Sequence, residues 1–434
     1  MFVRYLFGVG VIGAGLFAPA PAAGGTLSAQ PTYADTLTIN LDEARKRALA
    51  GNPGFAADIA RWQAALGGVA QARVFPFNPE IGGESLGSLS SGNLGEYEAR
   101  ISQEIPLAGQ WGLSIDVAEA QAAATQWSSL DGARTLLREV EGAFFAAAAA
   151  DRRLAVAEDI NILNDSLRNA LVTLLAEGEV SALDASLASI EAARGRARAL
   201  SARRESSEAR LELARLLGLP LDQALDLVVN DAITDFEPTF TLERALSTAY
   251  LSRPDLRAAE ERVVGAEANM KLASRQALPN PVVSAVANRV EQGQSSRFGI
   301  GISLPFPVFD RRQGARSRAL AEVSAAEHER EDQRNRLETE VRTAFAAVRI
   351  AREEVEILTN QVLLPARENH GLLEIAYREG KMDLSTLLLI RNQLLDAQMS
   401  YWDAWQRWRE AEADIRSASG AVLDSYELPA GLTR

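Results

Sequence analysis

The chain has 434 residues, a formal net charge of -13 and no cysteine. The acidic balance argues against a nucleic-acid surface, and the missing cysteines exclude disulfides, thiolate metal sites and a cysteine nucleophile. The two histidines, His328 and His370, are scattered among polar neighbours, which argues against a His-based metal site or catalytic dyad, and no cofactor is expected.

The N-terminus, MFVRYLFGVGVIGAGLFAPAPAAGG, opens with a positive Arg4, continues through a short apolar run and ends in the small-residue cluster Ala20-Pro21-Ala22. This pattern reads as a signal peptide over residues 1–22, too short for a comfortable membrane span. No cysteine follows it, and no later apolar run is long enough for a transmembrane helix.

A first structural repeat is expected over 23–228. It begins with a helix ended by Asn52-Pro53 and a second helix over 54–74. Two alternating segments follow, 80–89 and 97–105, joined by the hairpin signal Ser91-Gly92-Asn93-Leu94-Gly95. A very long helix over 109–177 comes next, then Gly178 and a return helix over 181–217. A linker rich in Asp, Asn and Pro is expected at 229–239. A second structural repeat over 240–420 then restates these landmarks in order about 200 positions further on. Asn52-Pro53 is answered by Arg253-Pro254, Asn78-Pro79 by Asn280-Pro281, Ile105-Pro106 by Leu304-Pro305, and Gly178-Glu179 by Gly380-Lys381. The second alternating pair is 282–290 and 298–304, the second long helix 311–379, and the second return helix 383–419. A C-terminal tail occupies 421–434.

The long helices carry heptads. Leu337, Val341, Ala344, Val348, Ala351, Val355, Leu358 and Val362 step by fours and threes, as do Leu387, Ile390, Leu394, Ala397, Tyr401, Ala404, Trp408, Ala411 and Ile415. A sustained heptad predicts coiled-coil seams. In the first repeat the return helix offers Ala185, Ala188, Ala192, Gly195, Ala199, Ala202, Ser206 and Ala209, small residues that permit close backbone approach. Each long helix would run about 100 Å at about 1.5 Å per residue, which excludes an ordinary compact domain. Pro365 interrupts the second, and a kink is expected there.

Four strands cannot close a membrane barrel, which needs at least about eight, and open edges are not tolerated in lipid. The strands are therefore expected to close with those of sister copies. The barrel would run directly into an α-helical barrel, with Pro106, Pro305 and Pro307 where hydrogen bonding switches from between strands to within a helix. Phe306 and Phe309, with Phe75, Phe77 and Trp111, cluster at that level and suit an aromatic girdle. The fold class is mainly α with a small β part.

LPFPVFDRRQG at 304–314 and AYREGKMDLSTLL at 376–388 resemble motifs of the TolC-like outer-membrane efflux proteins, in particular the heavy-metal-efflux, CzcC-like branch, and the likeness extends over both halves. The resemblance implies a homotrimer in the outer membrane of a Gram-negative bacterium, with a twelve-stranded barrel and a long periplasmic tunnel. It implies docking to a periplasmic adaptor, or membrane fusion, protein that couples the duct to an inner-membrane pump of RND type, with metal cations as cargo. The adaptor-docking tips would be Gly178, Glu179, Val180 and Ser181 in the first half and Gly380, Lys381, Met382 and Asp383 in the second. Relatives narrow the periplasmic entrance with acidic residues shortly after each tip glycine. Here Asp184 matches one such place, while the second half has Thr386 and Leu389. Two rivals remain open at this point. A secreted or periplasmic structural coiled coil without a pore shares the heptads but leaves the strands and prolines unexplained. An adaptor would carry one helical hairpin rather than a duplicated unit. No catalytic constellation is present, and no enzyme activity is expected.

Overall fold

The computed structural model describes residues 37–87, 94–222, 227–229, 241–290, 295–379 and 381–425. The chain divides into Met1–Asp35 and Thr36–Arg434, and everything described belongs to the second unit. The expected signal peptide, nearly all of the linker, most of the tail and the tip residue Gly380 lie outside the described residues.

A short strand, β1 (Leu37–Ile39), precedes α1 (Leu41–Gly51) and α2 (Pro53–Arg73). Asn40 caps α1 by accepting from the Glu43 N–H at 2.9 Å, and Asn52 caps α2 by accepting from that of Phe55 at 3.1 Å. Pro53 stands at the first position of α2, where its missing N–H costs nothing. The hairpin β2 (Glu80–Gly87) and β3 (Leu94–Glu104) leads to α3 (Gln110–Ala176), of 67 residues, and α4 (Ala182–Leu217). After β4 (Leu227–Val229) the order recurs: α5 (Leu242–Ser252), α6 (Pro254–Arg275), β5 (Val282–Val290), β6 (Ser295–Ser303) and α7 (Gln313–Ile357). A π-helical turn (Leu358–Leu363) connects α7 to α8 (Leu364–Arg378), and α9 (Leu384–Ala418) returns, followed by a 3-10 turn over Ala421–Ser425. The parallel pairing of β1 with β4 was not signalled by sequence, because three-residue strands are too short to show a period.

The core is a set of helix seams rather than one globule. Leu137, Val140 and Phe144 of α3 pack with Leu213 and Leu217 of α4, while Leu337, Val341 and Val348 of α7 pack with Ile415 of α9. Each fully buried side chain of this size stabilises by about 1.5–3 kcal/mol. The small residues of α4 allow α3 to come close: a Cβ on Gly195 would lie 3.0 Å from Asn164 Nδ2. Both repeats also close their helix ends alike. The Asn52 amide donates to Leu216 O at 2.9 Å, and Arg253 Nη1 donates to Ala418 O at 3.4 Å.

One detail of the seam departs from expectation. The heptad predicts Leu358 and Val362 at the interface, yet Val362 is 37% exposed and Leu363 is buried instead. The π turn adds a residue to one turn and so advances the seam by one position. Pro365 supplies the cause: it has no N–H to donate, and its ring would crowd the carbonyl four residues back. The expected interruption thus takes the form of a widened turn.

Candidate functional site

The four strands form one antiparallel sheet in the order β2-β3-β5-β6. Each has 8–11 residues, which suits a tilted bilayer crossing. The register sorts the side chains by polarity. Ile81, Ile101, Ala285 and Ile300 stand abreast on one face, beside rows holding Ala99, Ala287 and Phe298 and then Gln103, Val283 and Ile302. The opposite face is mainly polar: Glu80, Ser102 and Ser284 in one row and Glu84, Glu98, Asn288 and Arg297 in another, with Arg100 and Val286 between them and Val282 beside Glu104 at the end. Phe298 and Ile300 are 84% and 86% exposed. Such an apolar face needs an apolar medium. Strands β2 and β6 each keep an unpaired edge within the chain. Among the described residues no helix is long and apolar enough to cross a membrane.

The junction below the sheet is a hydrogen-bonded knot in the first repeat. The Ile105 N–H, just before Pro106, donates to Pro281 O at 3.0 Å and carries the ladder one step past β3. Gln110 Nε2 donates to Asn280 Oδ1 at 3.0 Å and to Arg275 O at 3.3 Å, and Asn280 Nδ2 donates to Glu104 Oε1 at 2.8 Å. Trp111 donates its indole N–H to Ala72 O at 2.9 Å and meets the Phe75 ring edge-on. The second junction is different. Pro305 and Phe306 are exposed, Pro307 is half-buried, and Phe309 is 91% exposed. Within the chain these residues do not join the knot around Pro106.

The two hairpin tips do come together. Gly178, at φ 80°, ends the first tip in the left-handed region, and the Glu179 N–H closes back on Leu174 O at 2.9 Å. The Lys381 N–H makes the matching bond to Ala376 O at 2.9 Å. Between the tips lies an apolar cluster of Leu171 and Ala188 with Leu384 and Leu388, joined by Leu174, Val180 and Tyr377. Burial pushes the Tyr377 phenol above its ordinary range, and the nearby Asp184 charge adds to the effect.

Ser181 caps α4 through the Asp184 N–H, and its hydroxyl donates to the Asp184 carboxylate at 2.7 Å. Asp383 begins α9 and accepts from the Ser385 and Thr386 hydroxyls, which holds its carboxyl below the ordinary range. Glu179 and Lys381 are exposed, Met382 is half-buried, and Lys381 pairs with Glu379 at 2.6 Å. Of the three residues expected at the entrance, Asp184 and Thr386 serve helix starts, while Leu389 is exposed.

Sequence reasoning missed a buried ionic cluster that ties the repeats together. Glu141 of α3 is gripped by Arg45 of α1 at 2.6 Å and by Arg416 of α9 at 2.5 Å. Next to it, Arg409 pairs with Glu412 at 2.8 Å and lies 4.5 Å over the Phe145 ring. Burial drives the Glu412 carboxyl up to about 7, against the pull of Arg409, Arg416 and Arg352. Charges inside a helical pattern read as solvated faces, so no periodic signal marked them. Among the described residues no group of three or more acidic or histidine side chains is placed to hold a metal ion.

A duplicated unit of long helices, each half contributing a strand pair to one amphipathic sheet, defines a class of outer-membrane duct, and comparison with known proteins agrees. Residues 44–219 and 245–421 match the family described as outer membrane efflux protein, and the chain belongs to that family of outer-membrane channels. It is 26% identical over 368 residues to the cobalt-zinc-cadmium resistance protein CzcC of Cupriavidus metallidurans, covering 84% of this chain and 85% of that one. It is 27% identical over 290 residues to the pyoverdine export outer membrane protein OpmQ of Pseudomonas putida, covering 62% and 60%. Among solved structures, the Campylobacter jejuni CmeC outer membrane channel superposes with a TM-score of 0.78 at 15% identity, covering 88% of this chain and 85% of that one.

Proposed function

We propose that three copies of this chain form the exit duct of a tripartite efflux system, with a twelve-stranded barrel in the outer membrane and a helical tunnel in the periplasm. The single observation that carries this reading is the sheet: one face mainly apolar, one mainly polar, both edges open, and its strands continuing into the helices. A closed barrel with the apolar face in lipid satisfies every backbone group and leaves a polar lumen. The tips around Gly178 and Lys381 are where a periplasmic adaptor docks, and an inner-membrane pump of RND type drives export through it. The cargo is metal cations, supported by the likeness to a cobalt-zinc-cadmium resistance protein. The duct opens passively, and the pump selects.

The channel is tested by inserting the purified protein into planar bilayers. Stable unitary conductance is expected, whereas a pore-free coiled coil would give none. The cargo is tested by deleting the gene. Increased sensitivity to cobalt, zinc or cadmium is expected, and unchanged metal tolerance with lost siderophore export would replace metal by a pyoverdine-like cargo.

A further inference from the structure

Between the tips and the middle of α3 the two helical hairpins of one chain touch twice and part in between. One contact is aromatic: Phe145 meets Trp405 edge-on at 5.9 Å, and Trp402 meets Trp405 at 5.7 Å. The other is the tip cluster around Leu171, Leu384 and Leu388. Between them lies a cavity of about 390 Å³, walled by one face of α3 and by α8 and α9. That volume is within the range of small-ligand pockets, about 300–1,000 Å³.

The lining is apolar in body and cationic in its polar groups. Val156, Ile160, Leu163 and Leu394 supply aliphatic surface, and Tyr401 and Trp402 supply flat rings. Three guanidinium groups, Arg152, Arg367 and Arg391, arrive from three different helices. Arg152 lies over the Trp402 ring at 5.6 Å. Burial pushes the Tyr401 phenol above its ordinary range and the Arg367 charge draws it back, which places Arg367 near that ring. Two carboxylates share the lining, Asp159 and Glu191. Glu191 is already engaged, accepting from Arg194 at 2.7 Å and from Asn392 at 3.4 Å. Among the described residues Arg367 has no hydrogen-bond or ion-pair partner. The lining thus carries an excess of positive charge in a chain whose net charge is -13. A recess of one sign concentrates ions of the other.

The widened turn before Pro365 builds this wall. An uninterrupted heptad would continue from Val362 to Ala366 on the inward face. The extra residue places Leu363 there and, four positions on, Arg367. Such π turns inside α-helices occur frequently at functional sites. Here the turn exchanges an alanine for a cation.

We propose that this cavity binds a small amphiphilic organic anion, a flat apolar body carrying one carboxylate or sulfonate group. Arg367 and Arg391 hold the charge, and the body lies against Tyr401, Trp402 and Leu163. The site is separate from the tip turns and from the sheet, and it stands whether or not the ring reading does. Its occupant touches α3 of the first repeat and α8 and α9 of the second at once, so occupancy ties the two hairpins together. A ligand that binds only the folded chain raises its melting temperature.

The probe is para-trifluoromethylbenzoate, followed by the width of its fluorine NMR line with the full chain in a non-ionic detergent. Saturable broadening is expected at one site per chain, with a Kd of about 1 mM or tighter, together with a rise in melting temperature. Unsubstituted benzoate should displace the probe, and uncharged benzamide should not. Arg367→Gln and Arg391→Gln are each expected to weaken binding about tenfold or more. Arg349→Gln, an equal loss of charge on the exposed surface of α7, should leave binding unchanged. Arg367 is itself exposed, so its substitution is expected to spare folding, and an unchanged melting temperature without probe verifies this. Displacement by benzamide as well as by benzoate, or equal binding by the wild type and Arg367→Gln, would reveal partition into detergent or an apolar void and overturn the site. Broadening that never saturates would overturn it too.

Discussion

Two glycines in the same conformation are held there for different reasons. Gly178 has open space where a Cβ would stand, so Gly178→Ala meets only the left-handed backbone penalty of about 1 kcal/mol. At Gly218, φ 68°, a Cβ would lie 2.1 Å from Gly51 O, inside the helix-end contact of the first repeat. Gly218→Ala is therefore expected to cost more than about 3 kcal/mol and to deplete assembled protein, and thermal unfolding of the two variants side by side checks the contrast. Glu412 gives a pH signature. Its ordinary value is 4.5 and its folded value about 7, so between them the folded chain holds a proton that the unfolded chain has released. The stabilisation is full below about 4.5 and is lost as pH rises through about 7, with a slope of at most ~1.4 kcal/mol per pH unit. Melting temperatures of the wild type minus those of Glu412→Gln should fall between pH 5 and 7.5 and level off above. A flat difference would show that Glu412 keeps its charge throughout.

At the scale of elements, the widened turn before Pro365 decides which side chain fills the seam. Leu363→Ala is expected to destabilise by about 2–4 kcal/mol and Val362→Ala by less than about 1 kcal/mol, reversing what the heptad alone would give. Chemical denaturation of the two variants measures this. The same turn marks the limit of what could be read from sequence. Heptad spacing found Leu337, Val341, Val348 and Ile415 in the core because burial and period coincide there. The strands were legible because Phe298, Ile300 and Ile302 alternate with glycine and serine, and their register then gathers apolar residues on one face, with Gln103 opposite Val283 as the exception in the Ile302 row. A local change of pitch leaves no trace in composition, and Arg45, Glu141 and Arg416 find one another across three helices with no local pattern to announce it. At the tips the glycine stop was legible, but the cap that occupies Asp184 was visible only once Ser181 and its hydrogen bonds were placed.

For the molecule as a whole, the tips and the sheet are separate tasks at opposite ends of the long helices. Gly178→Arg should leave membrane insertion and bilayer conductance intact while abolishing export in cells, because it places a bulky charge at the turn proposed to dock an adaptor and lies far along the helices from the sheet. Export that survives this change would remove the tip from the docking surface. Tandem duplication has a kinetic consequence as well. The contact between Gln110 and Asn280 forms inside one polypeptide, where the tether fixes the local concentration of its two halves. Six unlinked units would have to meet by diffusion, with a rate falling steeply on dilution. The proposed ring of three copies needs only three fused pairs to meet, so its assembly is less sensitive to dilution than that of separate halves.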